Sequence, residues 1–169
     1  MRRIRFATVE DVPQILAFIQ ALAHYEKLSS EVEATAARLR ETLFGDAPAA
    51  EVLLAYEDDV AVGFALFFHN YSTFLGKRGI YLEDLFVKPE YRGRGHGKAL
   101  LARLAEIAQE RGCGRLEWAV LDWNTPAIEF YKRLGAVPMS EWTIFRVTGK
   151  ALDELASKSA SLCHLRKIP

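Results

Sequence analysis

The sequence has few cysteines, no excess of charge of either sign and no long run of apolar residues. Its two cysteines, Cys113 and Cys163, form neither a metal-ligand spacing nor a disulfide framework, and the N-terminal residues lack a signal-peptide pattern. We therefore expect a protein of the reducing cytoplasm that needs no disulfide or structural metal.

The charge balance argues against one large class of partners. Lysine plus arginine and aspartate plus glutamate number 22 each. Such a balance gives no long-range field that would hold a polyanion, so we expect no nucleic-acid partner. The longest apolar run, residues 60–68, is well short of the ~18 residues of a membrane span, so we also expect no membrane association.

The length and pattern of the chain predict one domain of mixed secondary structure. A chain of 169 residues has about the length of one domain, and it contains no repeat, linker or low-complexity stretch. We expect the domain to span residues 1–156, followed by a C-terminal tail at 157–169 to which no role is assigned. Apolar periodicity and turn residues predict helices at 9–25, 31–43, 97–111, 125–134 and 150–156, and strands at 51–56, 60–69, 79–87, 116–121 and 142–147.

The sharpest local signal lies in residues 87–98, where a predicted strand leads through a glycine-rich turn into a helix. Glycines without a Cβ let the backbone approach an anion, and the helix N-terminus adds N–H groups and a partial positive charge. Arg92, Arg94 and Lys98 add full charges. The segment predicts a phosphate-binding loop, and a basic glycine-rich turn without a ligand stays open as the alternative.

Spacing excludes two common phosphate loops. A Walker A loop requires glycine where Arg92 stands and serine or threonine where Ala99 stands. The dinucleotide fingerprint requires glycine at the position of Lys98. The loop fits neither pattern, so its class depends on the neighbouring motifs.

Two motifs carry a resemblance to a known family. The pattern Arg92-x-x-Gly95-x-Gly97 resembles the acetyl-CoA pyrophosphate loop of the GCN5-related N-acetyltransferases, and Asn124-x-x-Ala127-x-x-x-Tyr131-x-x-x-Gly135 resembles the second motif of that superfamily. The resemblance covers residues 4 to about 155. It implies a single-domain α/β fold with a central, mixed, mostly antiparallel sheet, flanked by helices and splayed at the acetyl-CoA site. It also implies acetyl-CoA as the cosubstrate, without a metal.

Further segments are similar to the diamine acetyltransferase branch, which includes the spermidine/spermine and thialysine enzymes. They are residues 23–26, 81–84 and 130–132. Residues 71–73 and 121–124 look more like the thialysine enzyme. Ser72 stands where the polyamine enzyme has an acidic residue, which argues against a long polycationic substrate. The resemblance implies a homodimer that transfers acetyl from acetyl-CoA to a primary amine of a small molecule.

The resemblance also assigns roles to residues. Glu83 matches the base that takes a proton from the amine, and Tyr131 matches the acid beside the CoA sulfur. Asp84 is the weaker candidate base, because neighbouring strand residues point to opposite faces unless a bulge intervenes. The residues implied to bind acetyl-CoA are Phe86, Val87, Arg92, Gly93, Arg94, Gly95, His96, Gly97, Lys98, Asn124 and Tyr131, and those implied to bind the amine are Tyr25, Glu26, Ser72, Glu83, Asp84 and Trp142.

Other interpretations stay open for the whole chain and for single residues. One is a non-catalytic acyl-CoA-binding module, and another is an acetyltransferase for a protein N-terminus or an antibiotic. Apolar neighbours predict that Glu83 is partly desolvated, but a solvated strand carboxylate is the plainer alternative. Core packing is the alternative for Tyr131, and strand packing for Trp142. The four histidines are scattered, so we expect no metal site.

Overall fold

The computed structural model describes residues 1–163, which form two compact units, Met1–Leu121 and the chain from Asp122 onward. The first unit holds most of the predicted secondary structure. In order along the whole chain, the elements are β1 (Arg2–Phe6), α1 (Val12–Tyr25), α2 (Ala36–Phe44), β2 (Glu51–Glu57), β3 (Val60–Ser72), β4 (Lys77–Val87), α3 (His96–Glu110), β5 (Leu116–Trp118), α4 (Thr125–Arg133) and α5 (Gly149–Cys163).

The first unit is built on a five-stranded sheet whose strand order follows the sequence, β1 to β5. Strands β1 to β4 pair antiparallel, whereas β4 and β5 pair parallel. The β4–β5 register covers Ile80–Leu82 against Leu116–Trp118, and β4 then continues to Val87. The predicted α/β fold with a mixed, open sheet flanked by helices is therefore confirmed.

A β-bulge in β4 sets the positions of the two candidate base residues. Leu66 of β3 pairs with Asp84, but the next residue, Phe67, pairs with Leu82. Glu83 is therefore the extra residue of β4 at this point. Because a bulge interrupts the alternation of faces, the two-face rule that made Asp84 the weaker candidate does not hold here.

Apolar stripes hold the helices of the first unit against its sheet. Val12, Ile15 and Phe18 of α1 are buried, and the Phe18 ring stacks on Phe64 of β3 with centroids 5.5 Å apart. Each such side chain contributes roughly 1.5–3 kcal/mol when fully buried. The matching stripe of α3 consists of His96, Leu100, Leu101, Leu104, Ile107 and Ala108.

Several predicted boundaries shift for local reasons. The first helix begins after a short turn in which Asp11 accepts the Thr8 N–H at 2.7 Å. Helix α2 begins at Ala36 rather than residue 31, because the Thr35 hydroxyl caps it by accepting the Arg38 N–H at 3.2 Å. Strand β5 ends at Trp118, three residues earlier than predicted. Within residues 1–163, no helix is both long and apolar enough to cross a membrane.

The second unit contains helices α4 and α5, and the strand predicted at residues 142–147 is wrong. Trp142, Ile144 and Phe145 are exposed in irregular chain. Their side chains favour strands, but a strand needs a neighbour to pair its N–H and C=O groups, and the described part of this unit has no strand. The last helix runs past the predicted end at residue 156, and residues 164–169 of the predicted tail lie outside the described residues.

Candidate active site

The glycine-rich loop (residues 92–98) follows β4 and leads into α3, which begins at His96, one residue earlier than predicted. Gly93 and Gly95 have φ angles of 74° and 83°, a left-handed conformation that side chains disfavour. A Cβ on Gly95 would also lie 3.3 Å from the Arg2 guanidinium. The loop therefore has a defined shape that needs these glycines, at a helix N-terminus that attracts anions.

Arg92 connects the loop with the end of α1. Its Nε donates to the Val87 carbonyl at 3.0 Å, and its guanidinium lies 4.3 Å from the centre of the Tyr25 ring. Tyr25 is the last residue of α1, and Glu26 follows it. Two residues predicted to bind the amine therefore lie beside the loop predicted to bind the cofactor.

Arg94 and His96 of the loop both contact Glu57 at the end of β2. Arg94 donates to Glu57 at 2.7 Å and to the Glu90 carbonyl at 3.1 Å. The His96 ring is buried, with Nε2 2.7 Å from the other Glu57 oxygen. Lys98, in the first turn of α3, is exposed. The backbone N–H groups and Lys98 are thus better placed to contact an anion than the side chains of Arg94 and His96.

An acid cluster (Glu26, Glu83 and Asp84) lies where α1 ends and β4 bulges. Burial raises the pKa of Asp84 to about 6, with smaller contributions from the negative charges of Glu83 and Glu26. Burial also raises the pKa of Glu26. Negative charges held close together in a partly desolvated site favour the binding of a cation between them.

The expectation that Glu83 is partly desolvated is wrong, because this side chain is exposed. Its apolar neighbours Leu82 and Phe86 fill the core themselves. The bulge leaves the residue that follows Leu82 outside that core. Asp84, which is half-buried, takes the environment that the sequence suggested for Glu83.

Ser72 has a contact that the sequence did not suggest. Its side chain is only 6% exposed, and its hydroxyl accepts the Leu75 N–H at 3.3 Å in the turn between β3 and β4. The hydroxyl therefore stabilises a turn. An influence of Ser72 on the choice of amine stays a prediction.

The second unit carries the three remaining site candidates. Asn124 is the N-cap of α4, and its side-chain oxygen accepts the Ala127 N–H at 3.4 Å. Tyr131 is half-buried in α4, with its ring centroid 5.3 Å from that of Phe130. Trp142 is 72% exposed outside any strand, so strand packing does not explain it.

Comparison with known proteins identifies the family. The sequence model of the acetyltransferase (GNAT) family matches residues 15–136, a span that includes the glycine-rich loop, the bulge and α4. The chain belongs to this family. The resemblance stated from the two motifs is confirmed, and this GNAT protein is an acetyl-CoA-dependent N-acetyltransferase.

Its relatives cover nearly the whole chain. The thialysine N-epsilon-acetyltransferase of Bos taurus is 45% identical over 166 residues, which cover 92% of this chain and 97% of that protein. The L-ornithine N5-acetyltransferase of Arabidopsis thaliana is 36% identical, with 90% and 87% covered. Among solved structures, an integron cassette protein from the mobile metagenome of V. cholerae matches with a TM-score of 0.77 at 28% identity, over 92% of this chain and 97% of that one.

The geometry gives this GNAT enzyme a glycine-rich helix N-terminus and a carboxylate with a raised pKa. A primary alkylammonium, with a pKa near 10.4, must lose a proton before its nitrogen can attack a thioester. A carboxylate whose pKa is about 6, as for Asp84, takes up a proton more readily than an ordinary aspartate. In the part of the chain that the structure describes, no group of three or more histidine, cysteine, aspartate or glutamate side chains is arranged to hold a metal ion.

Sequence reasoning missed Glu57, which contacts the loop of this GNAT enzyme from another strand. Glu57 belongs to no motif and lies far from the loop along the chain. One signal was available. His96 continues the apolar stripe of Leu100 and Leu104 at i, i+4 spacing, which predicts a buried histidine, and a buried imidazole requires a polar partner.

Proposed function

We propose that this N-acetyltransferase acetylates a primary amine of a small molecule, of the lysine-like or diamine class. The observation that carries the proposal is the acid cluster beside the glycine-rich loop. Three carboxyl groups close together in a partly buried site attract an ammonium group. The names of the relatives support this class, because thialysine and ornithine are both small molecules with a side-chain amine.

In this proposal the loop binds the pyrophosphate of acetyl-CoA through the backbone N–H groups of residues 92–98. Backbone groups of Phe86 and Val87 hold the pantetheine amides and polarise the acetyl oxygen, as an oxyanion hole does. Support comes from β4, which runs to Val87 past the end of its register with β5. Asn124 contacts the pantetheine arm, and its place at the start of α4 gives it a fixed backbone position.

The transfer proceeds by direct attack. Glu83 accepts a proton from the ammonium group, directly or through water, and the amine nitrogen then attacks the thioester carbonyl carbon. The C–S bond breaks, and the leaving thiolate takes a proton from the Tyr131 phenol. The nitrogen then gives up its second proton through water to the Tyr131 phenolate, which leaves a neutral amide and restores the phenol. Asp84, adjacent to Glu83, is the alternative proton acceptor, and its raised pKa of about 6 supports that role.

A panel of amines tests the proposal. CoA release would be measured with thialysine, lysine, ornithine, putrescine, spermidine and an N-terminal peptide, and acetyl-CoA binding would be followed in parallel by thermal shift. We expect turnover with thialysine, lysine or ornithine. Binding of acetyl-CoA without CoA release in any reaction would instead indicate a non-catalytic binding module, and turnover with the peptide alone would indicate the wrong substrate class.

We also propose that the enzyme is a cytoplasmic homodimer, on the strength of its resemblance to the diamine acetyltransferases. Light scattering of the purified protein tests the oligomeric state, with twice the chain mass of 19.0 kDa as the expected result. Fractionation of expressing cells tests the location.

A further inference from the structure

Glu57 contacts two residues of the glycine-rich loop at once. Its Oε1 accepts a hydrogen bond from the Arg94 guanidinium at 2.7 Å, and its Oε2 lies 2.7 Å from Nε2 of His96. The hydrogen bond to His96, and to a smaller extent the one to Arg94, lowers the pKa of the Glu57 carboxyl, so this group is ionised at neutral pH. Arg94 and His96 flank Gly95, whose backbone is in the left-handed conformation.

The His96 side of this link is buried. The ring is 1% exposed, packs edge-on to the Tyr91 ring at 6.4 Å, and begins the apolar stripe of α3. Because an ionised carboxylate only accepts hydrogen bonds, Nε2 carries the hydrogen. Nδ1 has no hydrogen-bond partner among the residues that the structure describes. Glu57 is therefore the polar group that holds this ring in place.

A second contact supports the same segment from the neighbouring strand. Arg2 of β1 donates to the backbone carbonyl of Arg94. Arg2 and Glu57 are directly opposite each other in the β1–β2 register. One cross-strand pair at the end of the sheet thus holds both the backbone and the side chains around Gly95.

We propose that Glu57 is a positioning residue for acetyl-CoA binding: it holds Arg94 and His96 together and so fixes the loop N–H groups in the orientation that receives the pyrophosphate. A preorganised loop binds more tightly because it loses less conformational entropy when the ligand arrives. The inference rests on the proposed pyrophosphate role of the loop. Glu57 acts through the loop and does not itself touch the cofactor.

The test is Glu57→Gln, with Glu51→Gln as the matched control. The glutamine amide keeps the shape of the side chain but is neutral and has an NH2 group in place of one oxygen, so neither Arg94 nor His96 keeps its hydrogen bond to a carboxylate. Glu51 also lies on β2, is similarly exposed, and pairs with an arginine, Arg111, at the far end of α3. Glu51→Gln therefore makes the same chemical change away from the loop.

We expect Glu57→Gln to raise KM for acetyl-CoA and Kd for CoA about five- to tenfold, the size of the loss of a charged hydrogen bond. Both kcat at saturating acetyl-CoA and KM for the amine should stay within about twofold of the parent, and Glu51→Gln should leave all four constants within that range. A KM for acetyl-CoA that is unchanged in Glu57→Gln, or equally raised in Glu51→Gln, would overturn the inference.

Two further variants separate the possible failures. Gly95→Asp puts a charge and a side chain into the loop itself. Loss of CoA binding in Gly95→Asp, together with parental affinity in Glu57→Gln, would refute the role of Glu57 and leave that of the loop intact. Parental affinity in a folded Gly95→Asp would overturn both.

The double variant of Glu57→Gln with His96→Leu removes the buried imidazole, so it should fold even where the single variant does not, and we expect the same loss of CoA affinity.

Discussion

Replacing Asp84 with asparagine should make the protein more stable at neutral pH. The pKa of this carboxyl is about 6 in the folded protein, against an ordinary value of 3.8. Between these values the folded state holds a proton that the unfolded state has lost. The contribution of Asp84 to stability is therefore fully present below about pH 4 and is lost as the pH rises through 6.

The size of the effect follows from the same two values. Each pH unit by which the two pKa values differ corresponds to roughly 1.36 kcal/mol. The difference of about two pH units for Asp84 therefore corresponds to about 3 kcal/mol of unfolding free energy. This figure is an upper bound, because Asp84 is half-buried and water screens part of the interaction. Asparagine mimics the neutral form, so the variant avoids the cost of the buried charge at every pH.

Urea unfolding of the parent and Asp84→Asn, measured without ligand from pH 4 to pH 8, checks this prediction. The variant should gain at most about 3 kcal/mol at pH 8 and only a small part of that at pH 4, with most of the change between pH 4 and 6. Asp59→Asn, in the exposed β2–β3 hairpin, is the control for the charge change and should show no such pH-dependent gain. A difference that stays flat from pH 4 to 8, or an Asp84→Asn protein less stable than the parent at pH 8, would refute the reasoning.

Other predictions concern the chemistry and the core. Glu83→Gln should lower kcat/KM most at neutral pH, by about 10²-fold or more, and less where the amine is already deprotonated; a pH–rate profile checks this, and an equal loss at every pH would indicate positioning instead. Tyr131→Phe should lower kcat by about tenfold or less, because a thiolate of pKa near 8.5 leaves readily; steady-state CoA release measures it, and a thousandfold loss would contradict the expectation. Leu104→Ala, at a fully buried position, should cost about 2–5 kcal/mol in urea unfolding, and a loss below 1 kcal/mol would contradict tight packing there.

Features that depend on a short stretch of chain could be predicted from the sequence. Gly93 and Gly95 predict a turn with positive φ, and the apolar stripe that begins at Leu100 predicts the helix that follows the turn. The prediction of an anion site rests on these local facts alone. The motif around Asn124 and Tyr131 belongs to the same class, because its helix is capped by its own residues.

Features that depend on pairing between distant segments could not be predicted. Alternation along β4 gives no sign that Phe67 pairs with Leu82, so the bulge that exposes Glu83 and leaves Asp84 half-buried was hidden. The prediction of a strand at residues 142–147 was wrong because a strand also needs a neighbouring strand to pair with, and the strand propensity of single residues does not show whether one is present. Glu57 meets His96 only once β2 lies beside the loop.

The two glutamates of β2 constrain the length of α3. Glu57 meets His96 at the start of the helix, and Glu51 meets Arg111 just after its end. From His96 to Arg111 a helix rises about 22 Å, and from Glu51 to Glu57 a strand advances about 20 Å. Strand and helix thus have matching lengths. Deleting one residue from α3 would turn its far end by about 100° and separate one of the two pairs, so homologues that keep both should show insertions and deletions elsewhere.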